Sequence, residues 1–280
     1  GRLDATNVID RPALCILTPV SIDHEQFLGD TLAKIATEKA GIIKPSVPCV
    51  VGPQPDEALE VIEAVAQRLQ APTFIYGQHW HVYEERNRLV YQDERGLLDL
   101  PLPVLPGAHQ IYNAGAALAA LRHLDLPETR FEAAVTRAQW PARLQRLKTG
   151  PLKDMAPDAD LWLDGGHNAA AGQALASHLA QQSLRPTYLI CGMLNTKDVA
   201  GYLAPMAPYV AELFAVSIPG EANTLPAETT ATAAKSVGMA ATAADTVNAA
   251  VAKILKSDPA SRILICGSLY LAGQILRENA

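Results

Sequence analysis

The chain has 280 residues, with 23 Lys and Arg against 29 Asp and Glu and a net charge of −6. That length allows one large domain or two ordinary ones. Hydrophobic residues make up 49% and charged ones 19%, the balance of a packed globular protein rather than a disordered one. No apolar run of about 18 residues is present to cross a membrane as a helix, and no dense basic stripe marks a nucleic-acid surface. The four cysteines, Cys15, Cys49, Cys191 and Cys266, form no CxxC pair and sit in or at the end of apolar runs. They read as buried reduced thiols rather than as a disulfide framework or a zinc site.

In chain order, 13–18 (ALCILT) reads as a short buried strand ended by Pro19. Residues 31–40 have helical spacing, with Asp30 placed to cap the helix and Gly41 to stop it. A second strand is expected at 48–51 and a second helix at 56–69. Over 73–102 the runs TFIY, WHVY, RLVY and LLDL alternate with polar turns, the pattern of a small β-meander. Helices follow at 110–124 and 127–138. After Trp140-Pro141 the rhythm changes. Strands at 161–163, 188–191, 212–216 and 262–266 alternate with helices at 169–182, 198–206, 227–236, 245–256 and 268–278. Alternation of this kind predicts βαβ units and a parallel sheet covered on both faces. The expected division is into two α/β units, 1–140 and 141–280.

Open parallel sheets bind ligands beyond the carboxyl ends of their strands. In the second unit those ends are Asp164-Gly165-Gly166-His167-Asn168, Cys191-Gly192 and Cys266-Gly267-Ser268. Asp164 could accept hydrogen bonds from ribose hydroxyls, and His167 and Asn168 could face phosphate at a helix N-terminus; the plainer reading is a turn with Asn168 as N-cap. His24, after Asp23, is either a metal ligand or a solvent-facing loop histidine. Lys39 is either a cation favoured by a helix C-terminus or an amine that takes up CO2 to give a metal-binding carbamate. His79-x-His81 could place two imidazoles on one strand face, although an exposed meander strand explains them as well. Trp80 and Trp162 read as core or rim aromatics. Arg143 could clamp a phosphoryl group between the two units or form a salt bridge there.

Taken together, GRLDATNVID (1–10), SIDHEQFLGDTLAKIATEKAGIIKP (21–45), LPGAHQIYNAGAALAAL (105–121), WPARLQRL (140–147), LWLDGGHN (161–168), CGMLNTKD (191–198) and ICGSLYLAG (265–273) resemble the folylpolyglutamate synthase/dihydrofolate synthase branch of the Mur ligase superfamily. The resemblance implies a P-loop NTPase-like central domain, incomplete here, followed by a Rossmann-like C-terminal ligase domain. It implies an ATP-dependent ligase that joins glutamate to dihydropteroate or folate through an acyl phosphate. His24 would bind Mg²⁺ and Lys39 would be the carbamylated lysine. Leu3, Asp4 and Ala5 would line the pteroate or folate pocket. Asn113 would meet the adenine end of ATP, Arg143 and His167 the phosphates, and Asp164 the ribose, with Asn168 beside them. Lys39, Arg143 and His167 would be the catalytic groups. Ala142 stands where the family usually has Gly.

The resemblance further implies a cytoplasmic enzyme, monomeric when full length, whose partners are ATP, glutamate and dihydropteroate or folate, with no nucleic acid and no membrane. The alternatives are another Mur-type amino-acid ligase and a non-catalytic nucleotide-binding remnant. A Rossmann oxidoreductase would need GxGxxG after a strand, which is absent.

The family cradles the ATP phosphates in a Walker A loop, but this sequence contains no Gly-Lys pair. The chain is therefore expected to be the carboxyl two-thirds of such an enzyme and to lack ligase activity alone. Its first unit is expected to carry an exposed sheet edge. Hydrogen exchange should then show weak protection over 1–140 and strong protection over 150–280; uniform protection of both would contradict this.

Overall fold

The computed structural model describes residues 1–22, 28–183 and 185–279. The chain falls into two compact units, Gly1–Gln139 and Trp140–Ala280. Among the described residues no helix is long and apolar enough to cross a membrane.

The first unit holds a parallel sheet of three strands, β1 (Cys15–Leu17), β2 (Cys49–Val51) and β3 (Thr73–Ile75), in that order. Helices α1 (Leu32–Ala40) and α2 (Asp56–Arg68) follow β1 and β2 in the chain. On α2, Ala58, Ile62 and Ala66 recur every four residues and are buried, the spacing of one helical face. Asp56 and Glu57 in its first turn and Arg68 in its last oppose the helix dipole. The cap of α1 is Thr31, not Asp30. Thr31 has extended backbone and its Oγ1 accepts the Lys34 N–H at 3.3 Å, while Asp30 pairs with Lys34 Nζ at 2.8 Å. Only the residue directly before the first helical one has the geometry to cap.

The run TFIY belongs to the parallel sheet rather than to the meander, because β3 pairs with β2 in the register Cys49↔Thr73. Three apolar residues carry no periodicity that separates the two sheet types. The meander is β4 (Trp80–Glu85), β5 (Arg88–Asp93) and β6 (Gly96–Pro101), all antiparallel. Helix α3 (Ala108–His123) follows, and the expected helix at 127–138 resolves into a 3-10 turn, Glu128–Arg130, and the short α4 (Phe131–Thr136). Trp80 is wholly buried and its indole N–H donates to Phe74 O at 2.9 Å.

The second unit opens with the short strand β7 (Gln145–Arg146) and helix α5 (Pro151–Met155), then runs β8 (Asp160–Leu163), α6 (Ala169–Ala180), β9 (Thr187–Cys191), α7 (Val199–Leu203), β10 (Glu212–Ala215), α8 (Ala227–Ser236), β11 (Ala241–Ala243), α9 (Val247–Ser257), β12 (Arg262–Cys266) and α10 (Leu269–Glu278). The sheet order is β11-β10-β9-β12-β8-β7, parallel throughout except for β7 at the edge. Alternate residues of each strand point to opposite faces, and both faces are buried. Leu161, Leu163, Ile190, Ile263 and Ile265 join one core with α9 and α10. Leu189, Cys191, Leu213, Leu264 and Cys266 join another with α6, α7 and α8. All four cysteines are buried free thiols, as expected from sequence.

The first unit also contains a buried arginine. Arg122, 3% exposed, donates to Asp93, to Glu128 Oε1 at 2.8 Å and to Gly96 O at 2.9 Å. Removing one member of a buried ion pair strands its partner. Arg122→Met is expected to destabilise the first unit by about 3 kcal/mol and to reduce hydrogen-exchange protection over 80–136 while leaving β8–β12 unchanged. Loss of less than about 0.5 kcal/mol, within the range of an ordinary surface change, would contradict this.

Candidate active site

Strand β8 ends at Leu163, and the next residue, Asp164, is 7% exposed. Its N–H continues the ladder to Ile265 O of β12 at 2.9 Å. Its carboxylate turns back into the protein: Oδ2 accepts the Leu144 N–H at 2.8 Å and Oδ1 accepts the Gly166 N–H at 2.7 Å. Two backbone donors stabilise the charge of a carboxylate that water hardly reaches.

Leu144 belongs to a strained turn. Ala142 and Leu144 have φ of 56° and 42°, left-handed values that cost an L-residue about 1 kcal/mol or more. Three bonds hold the turn. Besides the Asp164 bond, Gln145 Oε1 accepts the Ala142 N–H at 2.9 Å and Ala142 O accepts the Gly165 N–H at 2.9 Å. The Ala142 geometry gives a physical reason for glycine at this position, as left-handed φ costs glycine nothing.

Arg143 projects from the middle of this turn. Its half-buried guanidinium donates through Nη1 to Ala142 O at 3.3 Å and makes no ion pair among the described residues. His167 lies two residues beyond Gly165 with Nδ1 3.0 Å from Gly165 O. A carbonyl only accepts, so Nδ1 donates and a neutral ring keeps its lone pair on Nε2. Asn168 is the N-cap of α6, its Oδ1 accepting the Ala171 N–H at 2.9 Å. The remaining first-turn N–H groups give this helix end the partial positive charge that suits anions. Nearby strand ends turn as sharply. Gly267 has φ of 103° and a Cβ there would fall 2.8 Å from Gly192 O, so only glycine fits. Ser268 caps α10 by accepting the Tyr270 N–H at 3.0 Å.

In the first unit the segment carrying Leu3, Asp4 and Ala5 lies along the C-terminal end of α1, which carries Lys39. The Arg2 N–H donates to Glu38 O at 2.7 Å, and Asn7 Nδ2 donates to Arg2 O at 3.0 Å and to Gly41 O at 3.2 Å. Leu3 is 88% exposed, and Asp4 and Ala5 are exposed beside it. The Asp4 carboxyl is held below its usual range, first by the Thr6 hydroxyl and then by the Thr6 N–H, with a smaller contribution from Lys39. The segment of Leu3, Asp4 and Ala5 and the helix end that carries Lys39 are therefore brought together. Asn113, exposed on α3, donates to Gln110 Oε1 at 3.0 Å, and Gln110 in turn lies 3.1 Å from His109 Nε2, so the amide orientation is set by a short relay. His24 lies outside the described residues. Among the described residues no group of three His, Cys, Asp or Glu could hold a metal ion.

The His79-x-His81 pair divides between two elements. His79 sits in the turn before β4, where Nδ1 accepts the Ile75 N–H at 3.1 Å, and His81 lies on β4 itself. Both line a cavity of about 650 Å³ with Phe74, Tyr91 and His123. Sequence reading missed the part played by Leu144, Gln145 and Gly166, whose contributions to the turn are two N–H donors and one amide oxygen. A backbone donor leaves no mark in residue type, and only the unusual residue at 142 pointed to this turn.

The family profile for the C-terminal domain of dihydrofolate synthetase matches residues 146–278. The folylpolyglutamate synthase of Lacticaseibacillus casei is 29% identical over 287 residues, covering 98% of this chain and 64% of that protein. Among solved structures, E. coli FolC in complex with DHPP and ADP superposes with a TM-score of 0.86 at 28% identity, covering 99% of this chain and 63% of that one. The bifunctional folylpolyglutamate synthase/dihydrofolate synthase of Yersinia pestis complexed with AMPPNP and a Mn ion gives 0.82 at 28% identity, covering 99% and 63%. The chain thus spans a little under two thirds of these relatives' length.

Asp164→Asn replaces one acceptor with a donor that faces a backbone N–H. It is expected to destabilise the second unit by about 1–3 kcal/mol, the cost of an unsatisfied buried pair, and to lower the thermal midpoint accordingly. A midpoint equal to that of the unsubstituted chain would show that the carboxylate does not hold the two turns.

Proposed function

We propose that this chain, which belongs to the folylpolyglutamate synthase/dihydrofolate synthase family, contributes nucleotide- and folate-binding parts of a cytoplasmic ATP-dependent ligase that joins L-glutamate to dihydropteroate or a (tetrahydro)folate. The observation that carries this reading is Arg143. A half-buried guanidinium with no ion pair among the described residues, held on the same turn system as a helix N-terminus, is built for a polyanion.

A carboxylate is a poor acyl donor because oxide or hydroxide would have to leave. Transfer of the γ-phosphoryl group from ATP to the carboxylate gives an acyl phosphate and ADP; the glutamate amine then attacks the carbonyl carbon, and phosphate leaves as the nitrogen loses a proton. Two anions must approach each other first, and here Arg143 and the N–H groups of α6 offset their repulsion. His167 would stand near the phosphates, its ring oriented by the Nδ1–H bond to Gly165 O. Asp164 would meet the ribose, and Asn168 would present the α6 N-terminus. Asn113 would meet the adenine end, and Leu3, Asp4 and Ala5 the pteroate or folate. A divalent ion, Mg²⁺ in this reading, would be held by His24 and a carbamylated Lys39 and would supply further charge neutralisation at the phosphates. The complexes of E. coli FolC with DHPP and ADP and of the Yersinia pestis enzyme with AMPPNP and Mn support this choice of ligands.

The test is glutamate ligation by the enzyme carrying this sequence, read as amide product and ADP together. Arg143→Ala is expected to lower kcat by about 100-fold or more, as for loss of one charge-stabilising donor, with little change in KM for dihydropteroate. Amide formation without ADP, or a variant within about threefold of the parent where a donor of this kind should matter far more, would contradict the reading.

A further inference from the structure

The first turn of α10 presents a leucine that the core does not explain. The buried face of this helix is Leu271, Ala272 and Ile275, whereas Leu269 is 50% exposed. Its side chain lies instead over Gly165. A Cβ at Gly165 would fall 2.3 Å from Leu269 Cδ2, 3.0 Å from its Cγ and 3.3 Å from Arg143 Nη1. The leucine and the guanidinium therefore share the space that a side chain at 165 would fill. We propose that Leu269 is a positioning residue for Arg143: packed over the bare backbone of Gly165, it walls in the guanidinium and holds it toward the proposed phosphate site.

The physical need is clear from what else restrains Arg143. It has no carboxylate partner among the described residues, and its one hydrogen bond, to its own preceding carbonyl, is 3.3 Å long. A free arginine side chain carries rotamer entropy that binding must remove. An apolar wall removes part of that freedom beforehand without neutralising the charge, which a carboxylate would do. A guanidinium is weakly hydrated on its faces and tolerates such a neighbour. Gly165 completes the device, because any larger residue would displace the wall and crowd the guanidinium.

This inference rests on Arg143 being a phosphate ligand, and the experiment separates the two claims. ADP affinity is measured by calorimetry for the unsubstituted protein, Leu269→Ala, Arg143→Ala and the double variant. Leu269→Ala is expected to weaken ADP about fivefold in the presence of Arg143 and to have no effect in its absence, a coupling of the size found for contacting residues. Leu269→Met, which keeps the volume, should restore affinity to within about twofold. Gly165→Ala, which disturbs the same contact from the other side, should weaken ADP in the same Arg143-dependent way. These comparisons hold even where thermal stability drops, since a general loss of packing would weaken ADP equally in both backgrounds. Equal loss with and without Arg143 would overturn the positioning role and leave the functional reading standing. Unchanged ADP affinity in Arg143→Ala alone would overturn both.

Discussion

One carboxylate joins the parts of the second unit that matter most. Asp164 leaves β8 with its backbone still in the sheet, and its two oxygens hold the N–H groups of Leu144 and Gly166. One oxygen thus fixes the turn that carries Arg143, and the other fixes the turn that leads through His167 into α6. Both turns are costly alone, one because two L-residues take left-handed backbone and the other because its glycines lose the most freedom on ordering. A buried acceptor with two donors compensates for part of that cost and gives the guanidinium and the helix N-terminus a common anchor. The sheet beneath supplies rigidity, with β8 paired to β12 from Arg262↔Asp160 to Ile265↔Leu163.

The same logic of a fixed frame and a charged group applies in the first unit. The segment that carries Leu3, Asp4 and Ala5 is tied by backbone and side-chain bonds to the end of α1, the helix that carries Lys39. The Asp4 carboxylate is ordered by Thr6 through two short bonds, 2.7 and 2.8 Å. Farther along, the meander and α3 are held by the buried Arg122 rather than by apolar contacts alone. A charge buried so completely is stable only while its partners stay in place, which makes this network a sensitive reporter of the unit's integrity.

The strands of the second unit were legible because residues buried on both faces leave continuous apolar runs, as in LWL and RILIC. The short strands β7 and β11 were not: Gln145-Arg146 and Ala241-Thr242-Ala243 contain no apolar run, and only pairing with an existing edge makes them strands. The cap of α1 was misplaced by one residue because aspartate and threonine both cap well, and backbone dihedrals decide between them. Asp164, His167 and Arg143 could be singled out by type and position, and Asn168 proved to be the N-cap that its plainer reading described. The dual use of the Asp164 oxygens could not be foreseen, since its partners are backbone groups. Nor could the place of Leu269, since its neighbour is the absence of a side chain at 165.

The most direct measurement is a two-dimensional amide NMR titration of the chain with ADP. The account predicts shifts concentrated at Gly165, Gly166, the first-turn amides of α6 and the Arg143 side chain, with few changes at the opposite, amino-terminal ends of β8, β9 and β12. Shifts concentrated at those amino-terminal strand ends, with Gly166 and Arg143 silent, would contradict it.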